Sequence, residues 1–451
     1  MRKLILFASS CLSWLSVYLW LTFDPFDSSF QHTVVLKFFN TYIHFGVDGI
    51  SLLFIFLTSF FIPLCLFYCS SSKSIYVTEY MFCIFCIEIL LFLVFSVLHL
   101  FYFYIFFEAI LIPFFIMISL HGSRDRKVHA SYLLFFYTLM GSLLMLFSIF
   151  VVYLHTGSTQ YQVLWSADFS STREYLLWIT FFIAFGIKIP IYPFHIWLPE
   201  AHVESPTEGS VILAAILLKV GGYGFLRVLL PMFPDATHYF SPMVLALCLI
   251  SIVYSSFATL RQTDIKRIIA YSSIAHMNIA IIGIILGTPM SIAGSLLLMF
   301  GHGLVSGGLF FMVGMLYDRF KTKTITYYSG LFKFMPLWST FFFLFILGNI
   351  GMPGTCNFMG EYIIILSAYI KWNPLIVVTI AVSILSCSFY SLYVYSRIAF
   401  GLPKHILVYK DLTKMEFLVI LPILILMFFV GIYPKPFLDL ILMYCNHVVH
   451  D

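Results

Sequence analysis

Four ionisable residues lie inside long apolar stretches of this chain: Glu108, Lys188, Lys219 and Glu361. A lone charge in hydrocarbon costs at least about 2.5–3.5 kcal/mol, so each of them needs a partner, a water-filled cavity or a proton to carry. Carboxylates and amines pass protons when a change in their surroundings shifts their pKa values. These four residues are therefore the first candidates for a functional site.

The apolar stretches define the class of protein. Of the 451 residues, 61% are hydrophobic and only 10% are charged, with a mean hydropathy of +1.01. Apolar runs of 18 or more residues recur from Leu4 to Tyr433, which predicts an all-α, polytopic membrane protein. Arg2 and Lys3 lead directly into such a run, so the first segment is expected to be a retained span. The net charge of +4 follows from the basic loops, and nothing implies a nucleic-acid partner.

Cutting the chain at polar, Gly or Pro positions predicts thirteen membrane helices. They lie approximately at 3–23, 47–69, 76–97, 99–120, 130–154, 174–196, 205–230, 240–260, 265–287, 289–316, 336–370, 373–400 and 415–433. We expect two inverted five-helix repeats, 76–230 and 240–400, between N-terminal helices in 1–75 and a C-terminal helix and tail in 401–451.

The basic residues predict the orientation. With the N-terminus inside, seventeen Lys and Arg residues fall in inner loops and five in outer loops, which is the positive-inside pattern. The inner set is Arg2, Lys3, Lys73, Arg124, Arg126, Lys127, Arg261, Lys266, Arg267, Arg319, Lys321, Lys323, Lys333, Arg397, Lys404, Lys410 and Lys414, and the outer set is Lys37, Arg173, Arg227, Lys371 and Lys435. The C-terminus is expected outside.

Two predicted helices are interrupted at related places. Pro190 and Pro193 break the span 174–196, because proline donates no backbone N–H, and they are expected to leave the carbonyls of Gly186 and Ile189 free.

In the span 336–370, the residues Gly348, Gly351, Pro353 and Gly354 loosen the helix just before Glu361. The broken helix is the fourth of each five-helix unit, and an odd number of helices puts the two units in opposite orientations. Irregular backbone at membrane depth occurs beside protein or water-filled cavities, so we expect polar cavities next to Lys188 and Glu361.

Several motifs carry a resemblance to a known family. They read FFEAILIP at 106–113, FHIWLPEAHVESPTEGS at 194–210, AAILLKVGGYG at 214–224, YSSIAHM at 271–277, GHGL at 301–304 and GMPGTCNFMGE at 351–361. In this order they resemble the antiporter-like membrane subunits of respiratory complex I, the NADH–quinone oxidoreductase, over roughly residues 45–433.

The resemblance implies roles for the four candidates. Glu108 matches the family's essential glutamate, Lys188 the broken-helix lysine paired with it, Lys219 the central relay lysine and Glu361 the terminal glutamate of the second half. His276 and His302 match histidines on a central hydrophilic axis, and His195 flanks the broken helix. We therefore expect a hydrated axis, parallel to the membrane plane, from Glu108 through the lysines and histidines to Glu361.

The implied function is proton translocation across a coupling membrane, driven by quinone reduction in partner subunits. The chain is then part of a translocating NADH:ubiquinone reductase. It is expected to hold no cofactor and no metal, with NADH, FMN, iron–sulfur clusters and ubiquinone bound by partners. The expected partners are the other membrane-arm subunits, especially the chain 2 and chain 5 antiporter-like subunits, and lipids. The 52 phenylalanines and the short length favour the mitochondrial inner membrane, with a bacterial plasma membrane as the alternative.

Other interpretations stay open. The chain could be a subunit of a stand-alone multisubunit cation/proton antiporter, or a scaffold without transport. Each buried carboxylate could simply hydrogen-bond a neighbouring helix, each lysine could form a static salt bridge, and each histidine could be a satisfied core residue.

Two features depart from the family pattern, and three further residues need an interpretation. The family's first helix is expected to be missing, and His99 stands where related subunits usually carry an acidic residue. Glu88 is expected to be structural. Cys83 and Cys86 lie within an apolar helix, which favours buried small residues over a redox or metal pair.

Overall fold

The computed structural model describes residues 1–27, 29–38, 41–70, 76–371, 374–402 and 410–450. Fifteen helices carry the fold in this part of the chain. They are α1 (Arg2–Thr22), α2 (Gly49–Ser70), α3 (Val77–Ser96), α4 (Leu100–His121, with a turn at Ile110), α5 (Lys127–Thr156), α6 (Ser171–Lys188), α7 (Thr207–Met232), α8 (Pro234–Arg261), α9 (Ile265–Ile285), α10 (Pro289–Phe320), α11 (Pro336–Ile350), α12 (Cys356–Lys371), α13 (Pro374–Ala399), α14 (Lys414–Ile432) and α15 (Lys435–His450). Shorter helical pieces connect them, among them Trp197–Glu204.

Eleven of these helices are long and apolar enough to cross a membrane, counted over the described residues. The exceptions are α6, α11, α12 and α15. Helix α6 ends at Lys188, and α11 and α12 are separated by the turn at 351–355. The two spans that are interrupted in the structure are therefore the two helices that the sequence predicts to be broken. The fold is the helical, multi-pass architecture that hydropathy indicates.

The middle of the bundle is formed by α7, α9 and α10. Nearly every residue of these helices is buried against other helices, whereas α1, α13 and α14 bury mainly one side. Helix α7 contains two π-helical turns, Leu213–Leu217 and Phe225–Leu229. Such turns occur frequently at functional sites, and Lys219 lies between them.

The all-helical prediction missed a β-hairpin. Strand β1 (Gln31–Phe38) pairs antiparallel with β2 (Thr41–Val47), and the hairpin is tied to the start of α4 by a hydrogen bond from the Leu98 N–H to the His44 carbonyl. The consecutive β-branched residues Thr33, Val34 and Val35 in β1 favour a strand. The segment is too short and polar for a span, and its strand pattern was not recognised.

The C-terminal segment also differs from the prediction of a tail. Helix α15 packs on α1 and α10, with the Phe437 ring 5.2 Å from Trp20 and 5.1 Å from Phe300. The Tyr444 hydroxyl donates to the Leu226 carbonyl at 2.8 Å. This helix therefore covers one end of α7.

Helix ends gather at two opposite faces. At one face, which we call the basic face, the Ser123 N–H donates to the Glu204 carbonyl and Arg124 meets Asp264. The other face carries the β-hairpin and α15.

Three of the basic residues that were assigned to loops are buried. Arg227, Lys266 and Lys323 are at most 2% exposed and make buried polar contacts. Lys73 and Lys404 lie outside the described residues.

Candidate functional site

Lys219 lies at the centre of the bundle on α7. Its side chain is fully buried, and its ammonium nitrogen donates to the Ala214 carbonyl at 2.5 Å and lies 2.9 Å from Nδ1 of His302. An ammonium has only donors, so a charged Lys219 requires His302 to accept at Nδ1 and to carry its proton on Nε2. Nε2 has no partner among the described residues.

His302 continues the contact towards the second half of the chain. Its ring lies 5.7 Å from the His276 ring, and Nδ1 of His276 lies 2.9 Å from Oε1 of Glu361. Lys219, His302, His276 and Glu361 are each at most 3% exposed. Four of the seven predicted site residues thus form one buried row across α7, α10, α9 and α12, which we call the central row.

The broken helix makes room for the end of the row. Helix α11 ends at Ile350 and α12 begins at Cys356, so the predicted interruption before Glu361 is present. Gly351 adopts φ +76°, and a Cβ on it would lie 2.6 Å from Oε2 of Glu361. Both the backbone conformation and the space require glycine there.

Sequence analysis missed two neighbours of His276 on α13. The Cys387 sulfur lies 3.7 Å from Nε2 of His276, and the Tyr390 hydroxyl donates to that sulfur at 3.0 Å. Both residues lie in an apolar span with no motif of their own, so only the packing of α13 on α9 reveals them.

The first broken helix has a different environment. Helix α6 ends at Lys188, whose ammonium nitrogen lies 4.3 Å from the centre of the Phe107 ring and has no hydrogen-bond partner among the described residues. The Ile191 N–H donates to the Gly186 carbonyl at 2.9 Å, so the prediction that this carbonyl is free was wrong. A six-residue turn, from Gly186 to Ile191, satisfies it despite Pro190.

Glu108 and Lys188 are neighbours but do not form a closed ion pair. Within the described chain, no contact of 4.0 Å or less joins the carboxylate to the ammonium, although each lies in the electric field of the other. Oε2 of the half-buried Glu108 has no hydrogen-bond partner there either. In this structure the predicted pair is open, and no hydrogen bond in the described residues joins Lys188 to Lys219.

The remaining predicted residues lie apart from the row. His195 is buried next to Tyr192 and Tyr254, with ring centres 5.6 and 5.0 Å away. His99 precedes α4 and packs on His44.

Glu88, Cys83 and Cys86 also lie outside the central row. Glu88 is fully buried and accepts a hydrogen bond from the Ser9 hydroxyl at 3.1 Å. Cys83 and Cys86 are free thiols.

A second buried charge pair, also missed, lies near the outer end of α7. The Arg227 guanidinium donates to the Asp48 carboxylate at 2.5 Å, and both side chains are almost completely buried. Burial by itself raises the pKa of Asp48, but Arg227 and hydrogen bonds from Ser51 hold it below its ordinary value. The pair ties the start of α2 to α7.

Comparison with known proteins defines the class. The family model described as NADH:quinone oxidoreductase/Mrp antiporter, TM matches residues 97–387. This chain therefore belongs to the membrane-subunit family shared by NADH:quinone oxidoreductases and Mrp antiporters.

Curated relatives narrow the comparison to one subunit type. The chain is 46% identical over 429 residues to NADH-ubiquinone oxidoreductase chain 4 of Marchantia polymorpha, covering 94% of this chain and 86% of the relative. It is 47% identical over 436 residues to chain 4 of Chondrus crispus, covering 95% and 88%.

Among solved structures, the chain is similar to a chain of respiratory complex I from Thermus thermophilus with bound NADH. The TM-score is 0.90 at 27% identity, covering 99% of this chain and 95% of that one. The Mrp complex from Dietzia has a TM-score of 0.89 at 16% identity, covering 99% and 92%, which is a likeness of fold alone.

Proposed function

We propose that this chain translocates protons across a coupling membrane as an antiporter-like subunit of an NADH–quinone oxidoreductase. The observation that carries the proposal is the central row, in which an amine, two imidazoles and a carboxylate follow one another in the interior of a membrane protein. Imidazole both accepts and donates a proton, so two of them can connect Lys219 to Glu361. The similarity to chain 4 subunits supports the assignment to complex I.

The open Glu108–Lys188 site supplies the control step. Closing this pair favours both charged forms, and opening it lets the dry, unpaired Lys188 release its proton towards Lys219. Moving one charge against the membrane potential costs about 2.3 kcal/mol per 100 mV, and one pKa unit corresponds to about 1.36 kcal/mol. A change of one to two pKa units per 100 mV is therefore needed, which opening or closing a buried pair can supply.

The driving reaction belongs to partner subunits. In this proposal they bind NADH, FMN, iron–sulfur clusters and ubiquinone, and quinone reduction there changes the electrostatics of the membrane arm. The chain 2 and chain 5 subunits are the proposed neighbours, and the mitochondrial inner membrane is the proposed location. A stand-alone cation/proton antiporter remains the competing function, supported by the shared fold and by a family model whose description includes Mrp antiporters.

Replacing Lys219 tests the proposal. Lys219→Met keeps an apolar chain of similar length but removes the amine that starts the row. We expect NADH-driven acidification of vesicles by the assembled complex to fall at least about tenfold, since a positioned acid–base group contributes about 10²–10⁴-fold.

The matched control is Lys333→Met, the same substitution at an exposed position on the basic face. Its pumping should equal that of the wild type. Normal pumping by an assembled Lys219→Met complex would refute the proposal. Cation/proton exchange by preparations free of NADH-oxidising subunits would instead support the stand-alone antiporter.

A further inference from the structure

Cys387 on α13 lies beside the end of the central row without being part of it. Its side chain is 3% exposed, and its sulfur lies 3.7 Å from Nε2 of His276. The other ring nitrogen, Nδ1, lies 2.9 Å from Oε1 of Glu361. A neutral imidazole donates from one nitrogen and accepts at the other. The thiol and the carboxylate therefore determine together which nitrogen of His276 carries the proton.

Two other buried groups donate to the same sulfur. The Tyr390 hydroxyl, three residues further along α13, donates at 3.0 Å. The side-chain amide of Asn349, at the end of α11, donates at 3.5 Å. A thiol sulfur is only a weak acceptor. With two donors already directed at it, the sulfur has little capacity left to accept a hydrogen bond from Nε2 of His276.

The second helix break supplies an acceptor for the S–H group of Cys387. The sulfur lies 3.4 Å from the backbone carbonyl of Asn349, to which the thiol donates. In a continuous α-helix this carbonyl would accept from the N–H four residues later. The residue at that position is Pro353, which has no N–H. The S–H group therefore has two acceptors within reach, the Asn349 carbonyl and Nε2 of His276.

These contacts fit His276 in two protonation states. In the neutral ring, the S–H group donates to Nε2, so the ring proton lies on Nδ1 and faces the Glu361 carboxylate. The opposite tautomer would place two acceptors, Nδ1 and the carboxylate, against each other. When the ring binds one more proton at Nε2, the S–H group turns to the Asn349 carbonyl. Loss of one proton restores the neutral ring.

We infer that Cys387 is a positioning residue for the proposed proton transfer. Its thiol, which receives hydrogen bonds from Tyr390 and Asn349, keeps the proton of neutral His276 on Nδ1, facing Glu361. Nε2 is then the nitrogen that takes up an arriving proton, and each proton bound there is matched by one released from the ring. The inference rests on the proposed function, and it adds a group outside the central row that controls how His276 presents its proton to Glu361.

A matched pair of variants tests the role of the thiol in the complete NADH-oxidising complex in vesicles. Cys387→Ala and Cys387→Ser leave side chains of nearly the same size, but only serine both donates and accepts at this place. NADH-driven acidification by the alanine variant should fall about threefold to tenfold, the shift that the loss of one ordinary hydrogen bond produces. The serine variant should pump at nearly the wild-type rate. A packing role predicts equal losses in both variants, and that result would overturn the inference.

A second buried cysteine provides the control. Cys248 on α8 is fully buried and lies outside the central row. Cys248→Ala and Cys248→Ser should both pump at the wild-type rate, with each rate divided by the amount of assembled complex. A loss in Cys248→Ala as large as that in Cys387→Ala would mean that shortening any buried cysteine slows pumping, which would contradict a specific role for Cys387.

Tyr390→Phe tests the thiol without replacing it. The ring stays, but the sulfur loses its closest donor and becomes free to accept from Nε2 of His276, so the preference for a proton on Nδ1 weakens. Pumping should fall about twofold. The same change in a Cys387→Ala background should cause no further loss, because residues that act through one contact are not additive. Normal pumping by Tyr390→Phe would overturn the inference even if Cys387→Ala failed to assemble, and so would equal losses in both backgrounds.

Failure of the inference and failure of the proposed function give different results. If Lys219→Met abolishes pumping while Cys387→Ala pumps normally, the central row stands and His276 does not need the thiol. If Lys219→Met pumps normally, the proposed function itself is wrong.

Discussion

Each of the two broken helices places one buried ionisable side chain beside its break, but the surroundings of the two side chains differ. At the second break, the Glu361 carboxylate is buried against His276 at 2.9 Å, in space that Gly351 leaves open. At the first break, the Lys188 ammonium faces the Phe107 ring and has no hydrogen-bond partner in the described part of the chain. One break therefore holds a hydrogen-bonded carboxyl group, and the other holds an amine that has no hydrogen-bond partner among the described residues.

The difference indicates which break responds to its surroundings. A buried group without a partner changes its protonation when a neighbouring charge moves, because nothing nearby holds it in the charged form. A group in a hydrogen-bonded pair keeps its state until the pair opens. We therefore expect the Glu108–Lys188 site to sense the driving reaction and the His276–Glu361 site to hold the proton at the end of the row.

The largest expected effect is on pumping at the first break. Glu108→Gln removes the only acidic group predicted to control Lys188, so NADH-driven acidification should fall on the order of 10²-fold. Glu108→Asp should retain more activity because it keeps a carboxyl group. Assembly, checked by native gel electrophoresis, should persist in both variants, and an assembled Glu108→Gln complex that pumps normally would remove the first break from the mechanism.

The two breaks should differ in the sign of a stability change. Lys188→Met replaces an unpaired buried ammonium with an apolar chain, so it should stabilise the subunit by about 1 kcal/mol or more. Glu361→Gln weakens a charged hydrogen bond and should destabilise by about 1–3 kcal/mol. The midpoint of thermal inactivation of the purified complex reports both changes, and shifts of the same sign would contradict the open-versus-closed distinction.

Two glycines in the second break provide a matched pair. Gly351 and Gly354 both have positive φ, +76° and +91°, but only the Cβ added at Gly351 meets Glu361, whereas that at Gly354 meets nothing within 4 Å. Each alanine substitution should cost about 1–2 kcal/mol for the backbone conformation.

Pumping separates these two variants. Gly351→Ala should reduce acidification because Glu361 is displaced from His276, and Gly354→Ala should leave it unchanged after correction for the amount of complex. Equal losses would mean that the backbone turn, and not the space beside the carboxylate, is what matters.

The smallest expected effect comes from tagging the chain ends. Thirteen predicted crossings put the two chain ends on opposite sides of the membrane, so a tag after Met1 should be accessible from the inner side and a tag after Asp451 from the outer side. Neither tag should change pumping. Protease protection in sealed vesicles reads out the accessibility, and two tags on one side would contradict the count of thirteen crossings.

Local properties of the sequence were enough to predict the class of protein and the two broken helices. Long apolar runs favour the membrane interior over water whatever their neighbours are. Inside the membrane each segment must satisfy its own backbone hydrogen bonds, which predicts a helical, multi-pass fold. Pro190 and the glycines before Glu361 act on their own helix, so the interruptions at 189–196 and 351–355 follow from residues within a few positions of each other. The β-hairpin at 31–47 was missed because its strand signal is weak beside the hydropathy of the spans.

The contacts of the candidate residues depended on tertiary packing. Lys219 and His302 are 83 residues apart, and His276 and Glu361 are 85 apart. Arg227 looked like a loop charge until α2 brought Asp48 to it. Composition and spacing identify which groups are too polar for hydrocarbon, because that depends on each residue alone. Which of these groups meet, and which stay open, depends on how separate helices cross, and only the tertiary structure decides it.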